Sequence, residues 1–123
     1  MRTESYGSAK ITYLDKDAIW EAASQLAQEL GRRHREIRRI LVFGSFVRDQ
    51  AAPGSDLDLI VVLDESDLPF LDRPAHYRAG RFLIPLDLLV YTNDEIEGML
   101  AEGNSFLRHA LAEGVTIYER EAG

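Results

Sequence analysis

The sequence predicts a small α/β or α+β domain that has one mixed or antiparallel sheet with flanking helices. Short apolar runs typical of strands alternate with longer segments whose apolar residues recur at helical spacing. Their predicted order along the chain is α-β-α-β-β-α-α-β. The 123 residues suffice for one hydrophobic core and are too few for two. We therefore expect a single domain over residues 1–123.

The N-terminal half contains the first predicted helix and two predicted strands. Residues 1–16 are polar and without periodicity apart from a short ITYL, so we interpret them as an N-terminal extension. A helix is predicted from Asp17, its cap, to Gly31, its stop, with a continuation to about Arg35 as the alternative. Its apolar residues at helical spacing are Ile19, Ala23, Leu26, Ala27 and Leu30. A strand over residues 40–43, a helical turn over 45–49 and a strand over 57–63 follow.

The C-terminal half contains a third strand and two helices. Residues 64–80 are predicted to be a long polar connection, and residues 82–91 a strand. One helix is predicted over residues 94–102. A second, capped by Asn104 or Ser105, is predicted to end at Gly114, with Phe106 on its apolar stripe. VTIYE at residues 115–119 is predicted to be a final strand.

Composition excludes several classes of function. There is no cysteine, so neither a disulfide framework nor a thiolate metal site is expected. No apolar run approaches the length of a membrane span, and the N-terminus lacks the apolar core of a signal peptide. We therefore expect a cytoplasmic protein without membrane contact. A net charge of −7 disfavours nucleic acid as a direct substrate but permits a nucleotide, which arrives with its own cations.

The most informative motif is Gly44-Ser45, ten residues, and then Asp56-Leu57-Asp58. Side chains alternate along a strand, so Asp56 and Asp58 point to the same face. Two adjacent carboxylates repel each other unless a cation lies between them, and Mg²⁺ prefers oxygen ligands. If Gly44 and Asp56 serve one ligand, their strand ends must be adjacent. The two strands are then expected to be antiparallel.

Each of these residues also has a purely structural interpretation. Gly44 can allow a tight turn, and Ser45 can cap a helix. Asp56 can close a turn, while Asp58 can sit exposed at a strand edge. Against this, aspartate is depleted in strands, so two of them opening one strand need a reason. In the functional interpretation, the free N–H groups of the Gly44-Ser45 turn and the Ser45 hydroxyl bind phosphate oxygens.

A third carboxylate, Asp87, would complete a site for two metal ions. It lies among apolar residues on a predicted strand, where a buried and unpaired charge would be costly. The alternative is a carboxylate satisfied by the local backbone or by an arginine. Two Mg²⁺ ions held by three carboxylates could activate an attacking hydroxyl and neutralise a leaving pyrophosphate. Asp87 could also accept the proton of that hydroxyl.

The remaining polar residues give weaker indications of function. Arg48 follows Ser45 by one turn and could reach a phosphate, although an ordinary surface arginine is as good an interpretation. The basic cluster at residues 32–39 is interpreted as a solvated face, with a partner-docking patch as the alternative. The histidines show no ligand spacing in the sequence; they are His34, His76 and His109.

The motif resembles that of the nucleotidyltransferase superfamily that includes DNA polymerase beta, and within it the minimal nucleotidyltransferases. The family pattern is approximately G-S-x-A-R-G, a short gap, S-D-x-D-L and a later strand aspartate. Here it is carried by Gly44 to Asp49, Ser55 to Leu59, and Asp87. Val47 and Asp49 replace the usual alanine and glycine. The resemblance covers about residues 17–120, with the motif core at residues 38–91.

The resemblance implies a nucleotidyltransferase fold and transfer of a nucleoside monophosphate to an acceptor hydroxyl. Among the possible donors ATP is favoured, so the transferred group would be AMP. The residues that it implies for nucleotide binding are Gly44, Ser45, Arg48 and Ser55; those for two Mg²⁺ ions are Asp56, Asp58 and Asp87. Family members that act alone carry a second domain, for which this chain has no room. The acceptor is then expected on another chain.

Minimal nucleotidyltransferases often pair with a helical HEPN-domain toxin. The resemblance therefore implies an antitoxin that adds AMP to a tyrosine of such a toxin. Two alternatives remain open at this stage. One is an antitoxin of the same fold that neutralises its partner by contact alone. The other is a homodimer that modifies a small molecule in a cleft between its subunits.

Overall fold

The computed structural model describes residues 2–6, 9–13, 15–78 and 80–121, the first two ranges as backbone only. Outside the described residues lie 1, 7, 8, 14, 79, 122 and 123. Of these, residues 1, 7, 8 and 14 belong to the predicted N-terminal extension, and residue 79 belongs to the predicted connection. The strands are β1 Arg2–Tyr6, β2 Ala9–Tyr13, β3 Ile37–Phe43, β4 Leu57–Leu63, β5 Leu86–Thr92 and β6 Val115–Glu119. The helices are α1 Lys16–Arg33, α2 Arg73–Tyr77, α3 Asn93–Ala101 and α4 Ser105–Glu113. No helix in these ranges is both long and apolar enough to cross a membrane.

The four central strands form a mixed sheet in the order β5-β4-β3-β6. β3 is antiparallel to β4 and to β6, whereas β4 and β5 are parallel. The predicted fold class is therefore confirmed. The expected antiparallel pairing of the two motif strands is confirmed as well, because Phe43 at the end of β3 lies opposite Asp58 near the start of β4.

Both faces of this sheet are covered. On one face, α1 packs through Ile19, Ala23 and Leu30 against a core that includes Ile40 and Val42. On the other face, α3 and α4 pack on alternate residues of the same strands, among them Leu41, Phe43 and Ile60. Because successive strand residues point to opposite faces, a strand buried on both faces is apolar throughout. This explains the uninterrupted LIVVL run of β4.

The N-terminal prediction is wrong in part. β1 and β2 form an antiparallel two-stranded sheet, with Tyr6 opposite Ala9, where the sequence suggested an extension without pattern. The sequence marks them weakly, because RTESY has no apolar alternation and the alternation in AKITY spans only five residues.

Several predicted boundaries also shift. Asp15, rather than Asp17, caps α1 by accepting a hydrogen bond from the Ala18 N–H at 3.0 Å. The helix continues past Gly31, which is buried against the ring of Tyr118 and so serves packing rather than termination. β5 begins at Leu86 instead of residue 82, since Pro85 precedes it and has no N–H for a strand ladder.

The predicted connection at residues 64–80 contains a short helix that the sequence did not predict. α2 is anchored by Arg73, which is 4% exposed and donates to the Val90 carbonyl oxygen at 3.1 Å. The same guanidinium donates to both Glu95 carboxylate oxygens, at 2.7 and 3.1 Å. Glu95 also forms a capping box with Thr92 at the start of α3. These contacts join α2 to the sheet and to α3.

Gly114, which directly follows α4, and Gly98, which lies within α3, provide a matched test of this packing. A Cβ at Gly114 would lie 2.7 Å from the Ala110 carbonyl oxygen and would also clash with Leu41, whereas one at Gly98 would meet nothing within 4 Å. Gly114→Ala should lower the free energy of unfolding by about 1–3 kcal/mol through overpacking. Gly98→Ala should raise it by about 0.5–1 kcal/mol through helix propensity. Chemical denaturation measures both; equal effects would contradict the packing.

Candidate active site

The two motif strands bring Gly44 against Asp58 at one end of the sheet. Gly44 follows β3 and has φ +81°, in the left-handed region that favours glycine. A Cβ at this position would also collide with the Asp58 carboxylate. The backbone angle therefore favours glycine here, and a larger residue would also have to displace the Asp58 carboxylate. The result is a backbone turn in direct contact with a carboxylate.

The turn after Gly44 is a single 3-10 turn, Gly44–Phe46, where a helical turn over residues 45–49 was predicted. The Val47 and Arg48 N–H groups donate to the Gly44 carbonyl oxygen at 3.1 and 3.2 Å. Phe46 is buried and Ser45 half-buried. Phe46 therefore anchors the turn in the core, while Ser45 keeps partial contact with solvent.

Asp58 occupies the centre of an acidic group. In the parallel pairing of β4 and β5 it lies directly beside Asp87, and the side chains of such neighbours share a face. Asp56 precedes it by two residues. Burial, followed by the negative charges of Asp87 and Asp56, raises the pKa of the Asp58 carboxyl, and the positive charge of Arg48 opposes them. The sheet register therefore concentrates negative charge at this point.

Asp87 does not have the surroundings expected from the sequence. The apolar run around it suggested burial, but Asp87 is exposed, as is Asp56, while Asp58 is half-buried. Asp87 is the second residue of β5, the edge strand, so its side chain faces solvent at the end of the sheet. The case for its role therefore rests on its register with Asp58.

The three aspartate side chains are neighbours without converging on one point. Within the described ranges, the only three histidine or acidic side chains whose ligand atoms all lie within 4.8 Å of one another are His34, Glu36 and His76. The oxygens of Asp56, Asp58 and Asp87 therefore do not all lie within that distance of one another.

A cleft of about 500 Å³ opens beside Asp58. This volume is in the range of small-ligand sites. Its lining residues are Phe43, Gly44, Arg48, Asp58, Ser105, Phe106, His109, Ala110 and Glu113. Of the residues predicted for the site, Gly44, Arg48 and Asp58 line this cleft. Ser45, Ser55, Asp56 and Asp87 do not.

Two cleft residues have positions that the sequence did not indicate. Glu113, on the last turn of α4, accepts a hydrogen bond from the Arg48 guanidinium at 2.8 Å and so holds it at the cleft wall. The sequence predicts Phe106 on the apolar stripe of its helix, but 49% of the residue is exposed to solvent. It meets the Phe43 ring edge-to-face, with 5.8 Å between centroids. Phe106 therefore presents an aromatic surface to the cleft.

The remaining motif residues shape the loop between β3 and β4. Asp49 has φ +56°, which explains why glycine is usual at this position, and aspartate is among the residues that tolerate it. Its carboxylate contacts the Lys16 ammonium at 2.6 Å, and this lowers its pKa. Ser55 accepts a hydrogen bond from the Ala52 N–H at 3.0 Å. Ser55 thus closes the turn before β4.

The raised pKa of Asp58 predicts a pH-dependent stability. Because the folded state disfavours this charge, stability is lost as pH rises from the unfolded through the folded pKa. Without divalent cations at neutral pH, Asp58→Asn should therefore have a higher Tm than the natural protein. The two values should converge below the ordinary pKa range of aspartate. Thermal unfolding measures this, with the exposed Asp67→Asn as control; an equal rise in both variants would contradict the electrostatic origin.

Comparison with known proteins places the chain in a family. A family model described as polymerase beta nucleotidyltransferase matches residues 25–122. No curated protein matches significantly. Among solved structures, one from Sulfolobus solfataricus, provisionally named a nucleotidyltransferase, has a TM-score of 0.60 at 18% identity, with 88% of this chain and 86% of the other covered.

A second solved structure is described as a toxin-antitoxin with AMP-PNP. It has a TM-score of 0.56 at 19% identity, and the match covers 80% of this chain and 74% of the other. At these identities the two structures support the fold. The family model spans most of the chain, including the Gly44 turn and all three aspartates. The chain therefore belongs to the polymerase beta nucleotidyltransferase family.

Proposed function

We propose that the protein is a magnesium-dependent nucleotidyltransferase that moves AMP from ATP onto a hydroxyl group of a partner protein. The observation that carries this proposal is the contact between the Gly44 turn and Asp58, with Asp87 beside Asp58 in the sheet register. Gly44 and Asp58 both line one cleft, and Asp87 lies beside Asp58 on the neighbouring strand. In this proposal the backbone of the turn binds the phosphates of a nucleoside triphosphate, and the carboxylates bind its cations.

The donor chemistry fits divalent magnesium. Asp56, Asp58 and Asp87 supply carboxylate oxygens, the ligands that Mg²⁺ prefers. Burial first, and then the negative charges of Asp87 and Asp56, raise the pKa of Asp58, and a bound cation would offset these charges. Bound Mg²⁺, two ions in this proposal, would promote ionisation of the acceptor hydroxyl and offset the charge of the departing pyrophosphate.

The residues of the chain have separate tasks in this proposal. The Gly44–Phe46 turn and the Ser45 hydroxyl bind the triphosphate, and Arg48 faces its negative charge while Glu113 keeps the guanidinium in place. Phe106 offers its ring as a stacking surface for the base. Ser55 contributes indirectly by fixing the turn that precedes Asp56.

Asp87 accepts the proton in the proposed reaction. The acceptor oxygen attacks the α-phosphorus, and the bond from that phosphorus to the pyrophosphate oxygen breaks. The hydroxyl proton passes to the Asp87 carboxylate, which is exposed and so accessible to a partner. Pyrophosphate leaves, and the nucleoside monophosphate stays on the acceptor. No covalent enzyme intermediate forms, so the acceleration of the reaction comes from positioning of the reactants and neutralisation of charge.

The proposed acceptor is a tyrosine of a HEPN-domain toxin, which makes this protein its antitoxin. A similarly folded protein is described as a toxin-antitoxin with AMP-PNP, an analogue of ATP, and this supports the pairing. The cleft beside Asp58 and the exposed Asp87 leave the reacting end of the sheet open to a second chain. A flexible tyrosine on that chain could enter the cleft.

The proposal predicts transfer of labelled AMP. Incubation of the protein with ATP labelled at the α-phosphate, Mg²⁺ and the product of the adjacent reading frame should yield a labelled partner, which the proposal expects to be a HEPN-domain toxin. Asp58→Asn and Asp87→Asn should each reduce the rate by about 100-fold or more, because each removes charge from the reacting centre. Mapping the label by mass spectrometry identifies the acceptor.

Asp67→Asn, outside the cleft, is the matched control and should leave transfer unchanged. Undiminished transfer by Asp58→Asn would contradict the proposal. An Asp58→Asn protein that transfers nothing but still neutralises the toxin in cells would indicate an antitoxin that acts by contact alone. Transfer to a free small hydroxyl compound, and none to the toxin, would indicate the small-molecule enzyme.

A further inference from the structure

A second group of potential metal ligands lies at the other end of β3. His34 directly follows α1, Glu36 directly precedes β3, and His76 is on α2. One ligand atom from each lies within 4.8 Å of the other two. The His34 Nδ1 is 3.8 Å from a Glu36 carboxylate oxygen, and the two imidazole centroids are 5.4 Å apart.

This group is separate from the aspartates. Glu36 lies before the first residue of β3 and Gly44 after the last, so the strand's length stands between them. At ~3.3 Å per residue this separation is about 25 Å. No ion can be shared between the two places, and the proposal below does not depend on the proposed enzymatic function.

Tyr77 holds the group in position. Its hydroxyl donates to the Glu36 carboxylate at 2.6 Å, and Tyr77 is 3% exposed. Its ring also meets both imidazoles edge-on, at 4.9 Å for His34 and 4.8 Å for His76. A hydrogen bond that orients a ligating carboxylate is typical of the surroundings of protein metal sites.

We propose that His34, Glu36 and His76 bind one divalent transition-metal ion, with Zn²⁺ as the best match. Two imidazoles and one carboxylate are a donor set that zinc favours, whereas Mg²⁺ and Ca²⁺ prefer oxygen alone. An ion pair between His34 and Glu36 would account for two of the three side chains. It gives no reason for a second imidazole beside the first, since two protonated rings would repel each other.

The surroundings favour entry of a cation. An adjoining cavity of about 390 Å³ is lined by Glu65 and Asp67 as well as Glu36 and His76. Its acidic rim attracts positive ions, and His76 is exposed. Three protein ligands leave further coordination positions for water. A bound ion would fasten α2 to the junction of α1 and β3.

Calorimetric titration with Zn²⁺ alone tests this site. The titration uses Asp58→Asn as its background, so that the aspartates compete less for zinc. One zinc per chain should bind. Adding His76→Gln should weaken binding by about 100-fold or more, and adding Tyr77→Phe by about 10- to 100-fold, as for other residues that orient a ligand. Because His76 is exposed, the Tm of the His76→Gln variant without zinc should equal that of the background protein.

His109→Gln is the matched control, because His109 is on α4 and outside the group. It should bind zinc as the background protein does. As a second readout, the electron paramagnetic resonance spectrum of bound Cu²⁺ should show coupling to two imidazole nitrogens and lose one in His76→Gln. The absence of saturable one-to-one binding, or equal affinities of His76→Gln and His109→Gln, would overturn the proposal.

Discussion

The register of three neighbouring strands is the constraint on which the candidate active site depends. Asp58 lies opposite Phe43 on one side and beside Asp87 on the other. A slip of one residue in either pairing would turn the Asp58 side chain toward the opposite face. Because each face of the sheet packs against its own helices, such a slip would move side chains of β4 from one core to the other and disrupt the packing of both. The two cores thus hold the acidic group in place.

The same register creates an electrostatic cost. Asp58 is half-buried beside two other carboxylates, and both burial and their charge raise its pKa. A fold selected for stability alone would place an apolar or amide side chain here. Retaining a disfavoured charge next to a glycine turn is consistent with a site that binds cations and phosphates together. The contact between Gly44 and Asp58 also joins the turn that is proposed to bind phosphate to the proposed metal ligands.

Much of the sheet could be predicted from the sequence. The strands at residues 57–63 and 115–119 have the predicted bounds, because compact apolar runs end at clear turn residues. The antiparallel pairing of β3 and β4 followed from the argument that Gly44 and Asp56 serve one ligand. The β1–β2 pair and α2 were missed, since the apolar pattern of the two strands is short and α2 depends on the contacts of one buried arginine, Arg73.

The site was harder to predict where distant segments meet. The exposure of Asp87 depends on β5 being an edge strand, which its apolar neighbours do not reveal. Phe106 lies on a helical stripe that ordinarily indicates core. Arg48 and Glu113 are 65 residues apart, and His34 and His76 approach only through the placement of α2. None of these contacts leaves a local pattern. The roles assigned to the motif residues therefore stay predictions.

The most direct test of the account is a crystal structure with Mn²⁺ and a non-hydrolysable ATP analogue, in which anomalous scattering locates the ions. The account predicts manganese bound to the Asp58 carboxylate, with Asp56 or Asp87 completing its protein ligands. It also predicts that the analogue's phosphates contact the Gly44-Ser45 turn. Manganese absent from Asp58, or phosphates bound away from this turn, would contradict the account.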